Sequence, residues 1–247
     1  WVKQAVCVVL LGICLRYFVG LDGLQSVISK LAGTSAQRSA HFRLLAFGDS
    51  LTEGYYKNGT KKVYFHPYTQ RLKENLDIKT NPLKWEVVTR GFSGECVTKA
   101  CVKTKLLDIF EGEFALPFDV VVILGGTNDL TSRIPSADIF AGLKQLHELA
   151  WKHGAKTVAV SIPQSWRDVK EDGTLTSNGQ SRLDVNNRLE RFITGHSKSI
   201  LLDLAGLLPQ RSLTTSKYWD DGVHFNPAGY DKVGDLVTDS VVQLLAI

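Results

Sequence analysis

Phe42-Arg43-Leu44-Leu45-Ala46-Phe47 runs directly into Gly48-Asp49-Ser50-Leu51-Thr52-Glu53-Gly54. A short apolar run that ends in Gly and Asp reads as a buried strand followed by a turn. The pattern repeats downstream. Trp85–Thr89 ends in Gly91-Phe92-Ser93-Gly94, Phe118–Leu124 ends in Gly125-Gly126, Thr157–Ile162 stops at Pro163, and Ile200–Leu204 is a fifth short run. Helical spacing lies between them, over Pro67–Leu76, Lys99–Phe110, Ala137–His153, Ser181–Thr194 and Pro227–Leu245, with Asn226 as N-cap of the last. Continuous β-branched strands that alternate with helices are covered on both faces, so the sheet is parallel. Five strands are too few for an eight-stranded barrel. The pattern predicts an α/β fold, a three-layer α/β/α sandwich around a five-stranded parallel sheet. Ligands of such a sheet sit outside the carboxyl ends of its strands.

The rest of the composition narrows the class. The chain has 247 residues, 44% hydrophobic and 22% charged, which excludes disorder, collagen-like repeats and a polytopic membrane protein. Its net charge of +4 is mild, and the densest basic stretch, Lys57 to Lys62, holds three lysines around Asn58-Gly59-Thr60. Nucleic-acid binders carry denser basic patches with interleaved aromatics, so no nucleic-acid partner is expected. Four cysteines are too few for a disulfide-built scaffold. Cys96 and Cys101 lack further ligands at zinc spacing, so no metal is expected. They read as two free thiols or as a local disulfide, which would need an oxidising compartment.

The N-terminus reads differently from the body. Every residue from Ala5 to Leu15 is apolar or Gly, with Lys3 before and Arg16 after. The run is short for a bilayer span and fits the apolar region of a signal peptide. With Arg16 snorkelling, Ala5–Leu21 reads as a signal-anchor; an extra helix packed on the domain is the third reading. Residues 1–32 are therefore set apart, 33–40 form a small, polar linker, and 41–247 form the domain. The expected location is the secretory pathway, extracellular or membrane-anchored, with membrane association through the N-terminal segment. The glycosylation acceptor pattern Asn58-Gly59-Thr60 agrees. A cytoplasmic location is the alternative.

Four turns lie where strands end or the last helix begins. They are Gly48–Gly54, Gly91–Glu95, Gly125–Asp129 and Asp220-Asp221-Gly222-Val223-His224. Together they hold a hydroxyl, a backbone-exposing Gly, an amide, a carboxylate and an imidazole, the parts of an acyl-transfer site. Taken singly, a Gly-Asp-Ser turn is most often only a turn, and Asn128-Asp129 could cap a helix. In order, the four blocks resemble the SGNH (GDSL) hydrolase superfamily, esterase/lipase type, from about Phe42 to the C-terminus. Gly48-Asp49-Ser50-Leu51, Gly126-Thr127-Asn128-Asp129 and Asp221-Gly222-Val223-His224 match intact. The second block is looser at Arg90-Gly91, although Ser93-Gly94 fits. The resemblance implies a flavodoxin-like sandwich and cofactor-free hydrolysis of esters or thioesters, with Ser50, Gly94, Asn128 and His224 as the four named residues.

The chemistry of the residues agrees. Ser50 is a poor nucleophile without a base. His224 is the one histidine beside a carboxylate in such a turn; a solvated role is the default for His41, His66, His147, His153 and His196. Asp221, three residues before His224, can orient the imidazole; Asp220 is the rival and reads as a solvated neighbour. Backbone N–H groups of Ser50 and Gly94 and the amide of Asn128 can form an oxyanion hole, and Gly94 has no Cβ to block close approach. Tyr55, Tyr56, Tyr64, Phe65 and Phe225 are aromatic neighbours, with Tyr55 and Phe225 as candidate substrate-binding residues; plain loop packing is the other reading. The expected substrate is a small-molecule ester: short-chain, lipid or acetyl. Gly-x-Ser-x-Gly and Gly-x-Gly-x-x-Gly are both absent at the required places, which argues against an ordinary α/β-hydrolase and a dinucleotide-binding protein. The alternative is a non-catalytic carbohydrate- or lipid-binding module on the same fold.

Overall fold

The structure, a computed structural model, describes residues 41–113 and 117–246. The expectations for a signal peptide, anchor or linker over 1–40 lie outside the described residues. Strand β1 (His41–Gly48) carries the apolar run that opens the domain, and its five consecutive residues Arg43–Phe47 are buried. Strands β2 (Tyr55–Tyr56) and β3 (Tyr64–Phe65) pair antiparallel as a separate hairpin. Strands β4 (Lys84–Gly91), β5 (Val120–Leu124), β6 (Lys156–Val160) and β7 (Ser199–Leu202) complete the sheet in the order β4-β1-β5-β6-β7. The pairs β1–β5, β5–β6 and β6–β7 are parallel, with Leu44 opposite Val120 and Val122 opposite Val158. All five residues of the central β5 are buried, which is why its sequence is an unbroken Val-Val-Val-Ile-Leu run.

Helices cover both faces. On one side α3 (Ala100–Asp108), α5 (Ser136–Lys152) and α6 (Ser177–Ile193) place Val102, Leu106, Ile139, Leu143, Leu146, Val185 and Leu189 against Leu45, Phe47, Val121, Ile123 and Ala159. On the other lie α2 (Thr69–Lys79), with Leu72 and Leu76 buried, and α8 (Pro227–Leu245), with Tyr230, Val233, Val237 and Val241 buried. Asn226 caps α8 as expected: its Oδ1 accepts from Gly229 N at 3.0 Å, and Pro227 opens the helix. The expected three-layer α/β/α sandwich is the fold observed.

The differences have local causes. The helix expected from Ser181 starts at Ser177, because Thr176 caps it by accepting from Gly179 N at 3.1 Å. The helix expected through Phe110 passes into a π-helical turn over Ile109–Glu113. The strand expected to Leu204 ends at Leu202, where Asp203 caps the short helix α7 (Leu204–Leu207) by accepting from Gly206 N at 3.2 Å. Helices α1 (Ser50–Glu53) and α4 (Thr127–Thr131) lie within segments read as turns.

Candidate active site

Numbered by sequence within the sheet, the strand order is 2-1-3-4-5, and the order reverses between β1 and β5. A crevice opens at such a switch point. Ser50 follows β1 and Asn128 follows β5, one on each side of it. The approach is close: a Cβ on Gly48 would lie 2.0 Å from the Leu124 carbonyl oxygen. Asp49 caps α1 by accepting from Leu51 N at 3.0 Å, and Gly54 closes it in the left-handed region. Ser50 is thereby fixed at the first helical position, 8% exposed.

The Trp219–Asn226 segment brings His224 to Ser50. Asp221 Oδ1 accepts from Val223 N at 3.1 Å and His224 N at 2.8 Å, which folds a tight turn. The turn sets His224 Nδ1 at 2.9 Å from Asp221 Oδ2 and His224 Nε2 at 3.0 Å from Ser50 Oγ. Partial burial pushes the Asp221 carboxyl up, but hydrogen bonds from the His224 ring and backbone and the imidazole charge outweigh it, bringing Asp221 down to about 2. Asp221 is therefore a carboxylate across the neutral pH range. Its neighbour Asp220 is not merely solvated, as expected, but accepts from Lys57 N at 2.8 Å and Asn58 N at 2.9 Å. It ties the β2–β3 loop to the histidine turn.

The Gly94 loop is held from below. Asn128 Nδ2 donates to the Glu95 carbonyl at 3.0 Å and makes a long 3.4 Å contact to Asp49 Oδ2. Asp129, fully buried, accepts from Val97 N at 2.9 Å, Thr98 N at 3.1 Å and Thr98 Oγ1 at 2.7 Å. The N-cap of α4 is Gly126, so Asn128 is not a cap. Gly94 is exposed with φ +78°, and a Cβ there would meet nothing within 4 Å among the described residues. The residue is needed for its left-handed backbone rather than for lack of space. Burial pushes the Asp49 carboxyl up to about 7, against the pull of the Leu51 hydrogen bond and the His224 charge.

Several expectations change. Phe225 is fully buried between Trp219, with ring centroids 4.2 Å apart, and Tyr230 at 5.6 Å. It clamps the histidine turn onto the core and offers no surface to a substrate. Tyr55 lies beside His224, with ring centroids 4.6 Å apart, and its carbonyl accepts from Tyr230 Oη at 2.7 Å. Ser93 Oγ donates to the Glu53 carboxylate. His147 is fully buried, not solvated; burial lowers it to about 3, and Nδ1 is 2.9 Å from Thr157 Oγ1. His66 faces Asp231 at 2.8 Å, His153 stacks on Phe110 and His196 on Trp151. Cys96 and Cys101 are free thiols, not a disulfide. Among the described residues there is no metal-binding cluster, and no helix is long and apolar enough to cross a membrane. Asp49, Asp129 and Asp220 are the site residues whose roles the sequence reading missed; the available signal was an acid directly beside each motif residue.

Comparison with known proteins bears on the family and the fold. Residues 46–232 match the profile of the GDSL-like Lipase/Acylhydrolase family. No curated protein matches the chain. Similar solved structures include a lipase/acylhydrolase from Enterococcus faecalis (18% identity, TM-score 0.61, 81% of this chain and 95% of that one). An aryl esterase from M. smegmatis is 21% identical, with TM-score 0.61 over 82% of this chain and 99% of its own. A carbohydrate acetylesterase from Sinorhizobium meliloti is 18% identical, with TM-score 0.61 over 82% and 99%. At these identities the likeness shows a shared fold, whereas the profile spans most of the sandwich and all four turns: the chain belongs to the GDSL-like lipase/acylhydrolase family.

Proposed function

We propose that this acylhydrolase cleaves carboxylic esters through an acyl-enzyme on Ser50. The observation that carries the reading is the continuous hydrogen-bonded chain Ser50 Oγ–His224 Nε2–Asp221, at 3.0 and 2.9 Å. His224 takes the Ser50 proton as Oγ attacks the ester carbonyl, and the Asp221 carboxylate stabilises the imidazolium. The imidazolium then protonates the departing alcohol. Water, deprotonated by His224, attacks the acyl-enzyme, and the proton returns to Ser50 as the acid leaves. The oxyanion is held by the backbone N–H groups of Ser50 and Gly94 and by Asn128. The bond to Glu95 fixes the plane of the Asn128 amide, and the hydrogen with only a long contact to Asp49 is the one left for the oxyanion. One such donor contributes roughly 3–4 kcal/mol to barrier lowering.

The substrate range is short-chain, acetyl or lipid esters, and Tyr55 beside His224 is the proposed substrate-facing aromatic. Two structural neighbours are named an aryl esterase and a carbohydrate acetylesterase. Residues 1–32 are proposed to direct the domain into the secretory pathway or hold it at a membrane, on the strength of the apolar Ala5–Leu15 run. The test is a series of 4-nitrophenyl esters of increasing acyl length, with wild type and Ser50→Ala. The expected result is turnover with an optimum chain length and a loss on the order of 1000-fold or more in Ser50→Ala. Turnover that survives Ser50→Ala contradicts the proposal.

A further inference from the structure

A cavity of about 380 Å³ is lined by Leu130, Thr131, Ser177, Ser181 and the exposed Arg133 and Arg167 among others. Its only charged lining residues are two arginines, and no carboxylate is among the lining residues. Neither guanidinium is in an ion pair among the described residues; that of Arg167 lies over the Trp166 ring at 5.1 Å. Two cations facing a cavity of ligand size, with hydroxyls and no acid, form a setting that selects an anion.

The walls are anchored to the segments that carry Asn128 and His224. Arg133 follows α4, the helix that carries Asn128, and Ile134 N donates to Asp129 O at 3.0 Å. Arg167 lies between two fixed neighbours. On one side Trp166 N donates to Gly222 O at 2.9 Å, inside the Asp221–His224 turn, and the Trp166 side chain is 3.1 Å from where a Cβ on Gly222 would stand. On the other, the fully buried Asp168 accepts from Arg182 Nε at 2.5 Å, Asn178 Nδ2 at 2.6 Å and Ser165 N at 3.1 Å. One wall is thus joined through the chain to the helix of Asn128, and the other is hydrogen-bonded at Trp166 to the histidine turn.

We propose that this cavity is a subsite for an anionic group, phosphate or carboxylate, carried by the ester substrate. The proposal rests on the reading of Ser50 as an ester-cleaving nucleophile and adds the charge of the substrate. Two matched pairs of substrates test it. A monoacylglycerol and its 3-phosphate place the anion on the alcohol side; 4-nitrophenyl butyrate and mono-4-nitrophenyl glutarate place it on the acyl side. In the Arg133→Gln/Arg167→Gln variant, kcat/KM for the charged member of one pair is expected to fall about tenfold, with its neutral partner within about twofold. The pair that responds tells which side of the ester enters the cavity. Equal effects on charged and neutral members of both pairs overturn the subsite. Titration with glycerol 3-phosphate gives a readout independent of turnover: binding weakened in the double variant supports the subsite, and no binding, or binding equal in both proteins, overturns it. Loss of all turnover by the wild type would instead defeat the reading of Ser50.

Discussion

At Asn128 a single amide has two tasks. One hydrogen goes to Glu95 O at 3.0 Å and holds the loop that presents Gly94; the other meets Asp49 at 3.4 Å. In the proposed mechanism the second hydrogen strengthens its bond only as charge develops on the carbonyl oxygen. Asn128→Ala is therefore expected to lower kcat roughly 100- to 1000-fold with little change in KM. Asn128→Asp is expected to be worse, because a carboxylate repels both the oxyanion and Asp49. Steady-state kinetics with thermal melts check both; an active Asn128→Asp sinks the role. Residues of this kind are legible because Gly and Asp punctuate the ends of strands: Ser50, Asn128, Asp221 and His224 each lie in a segment that the sequence marks as a turn, although Ser50 and Asn128 open short helices. The supporting acids are not. Asp129 and Asp220 act through backbone N–H groups 31 to 163 positions away, a relation that no local pattern encodes. Phe225 reads from sequence as a substrate contact for the same reason, since its neighbour Trp219 closes over it only in the folded turn.

Elements with strong apolar periodicity were found nearly to their ends, because burial against a sheet demands that periodicity. Helix α5 shows Ile139, Leu143, Leu146 and Leu149 on its buried face, and His147 shares that face. The sequence reading placed His147 in water because a lone imidazole on a helix carries no sign of its Thr157 partner. Its burial makes a pH prediction. His147 is depressed from 6.5 to about 3, so the unfolded chain binds a proton there that the folded chain does not. Its contribution to stability is present above pH 6.5 and is lost as pH falls towards 3, about 2 kcal/mol between pH 7 and pH 5. Asp49, raised from 3.8 to about 7, works in the opposite direction over the same range. His147→Leu keeps Trp151 Nε1 donating to Thr157 Oγ1 at 3.0 Å, so that oxygen retains a partner. Thermal melts of this variant at pH 7 and pH 5 are expected to show the acid loss reduced by about 5 °C relative to wild type. An unchanged difference would mean that His147 accepts a proton in the fold. The short elements α1, α4 and the β2–β3 hairpin escaped the sequence reading because caps and turns, not apolar spacing, create them.

For the molecule as a whole, alternation of strand and helix was enough for the layers, but not for the order in which strands lie. The 2-1-3-4-5 order decides which turns converge, and it brings the ends of β1 and β5 together with the His224 turn. The described residues, 41–113 and 117–246, hold the five-stranded sheet and every proposed reacting group. A chain starting at Gly33 is therefore expected to turn over a soluble ester as the full chain does, while losing any membrane association; a truncated chain that does not fold would contradict this. The central claim is that Ser50 is the nucleophile, activated by His224, and covalent labelling addresses it most directly. The protein is treated with a fluorophosphonate, digested, and the modified peptide located by mass spectrometry. The account predicts one adduct, on Ser50, absent from Ser50→Ala and formed far more slowly in His224→Ala. An adduct on Ser93, or labelling that persists in Ser50→Ala, would contradict it.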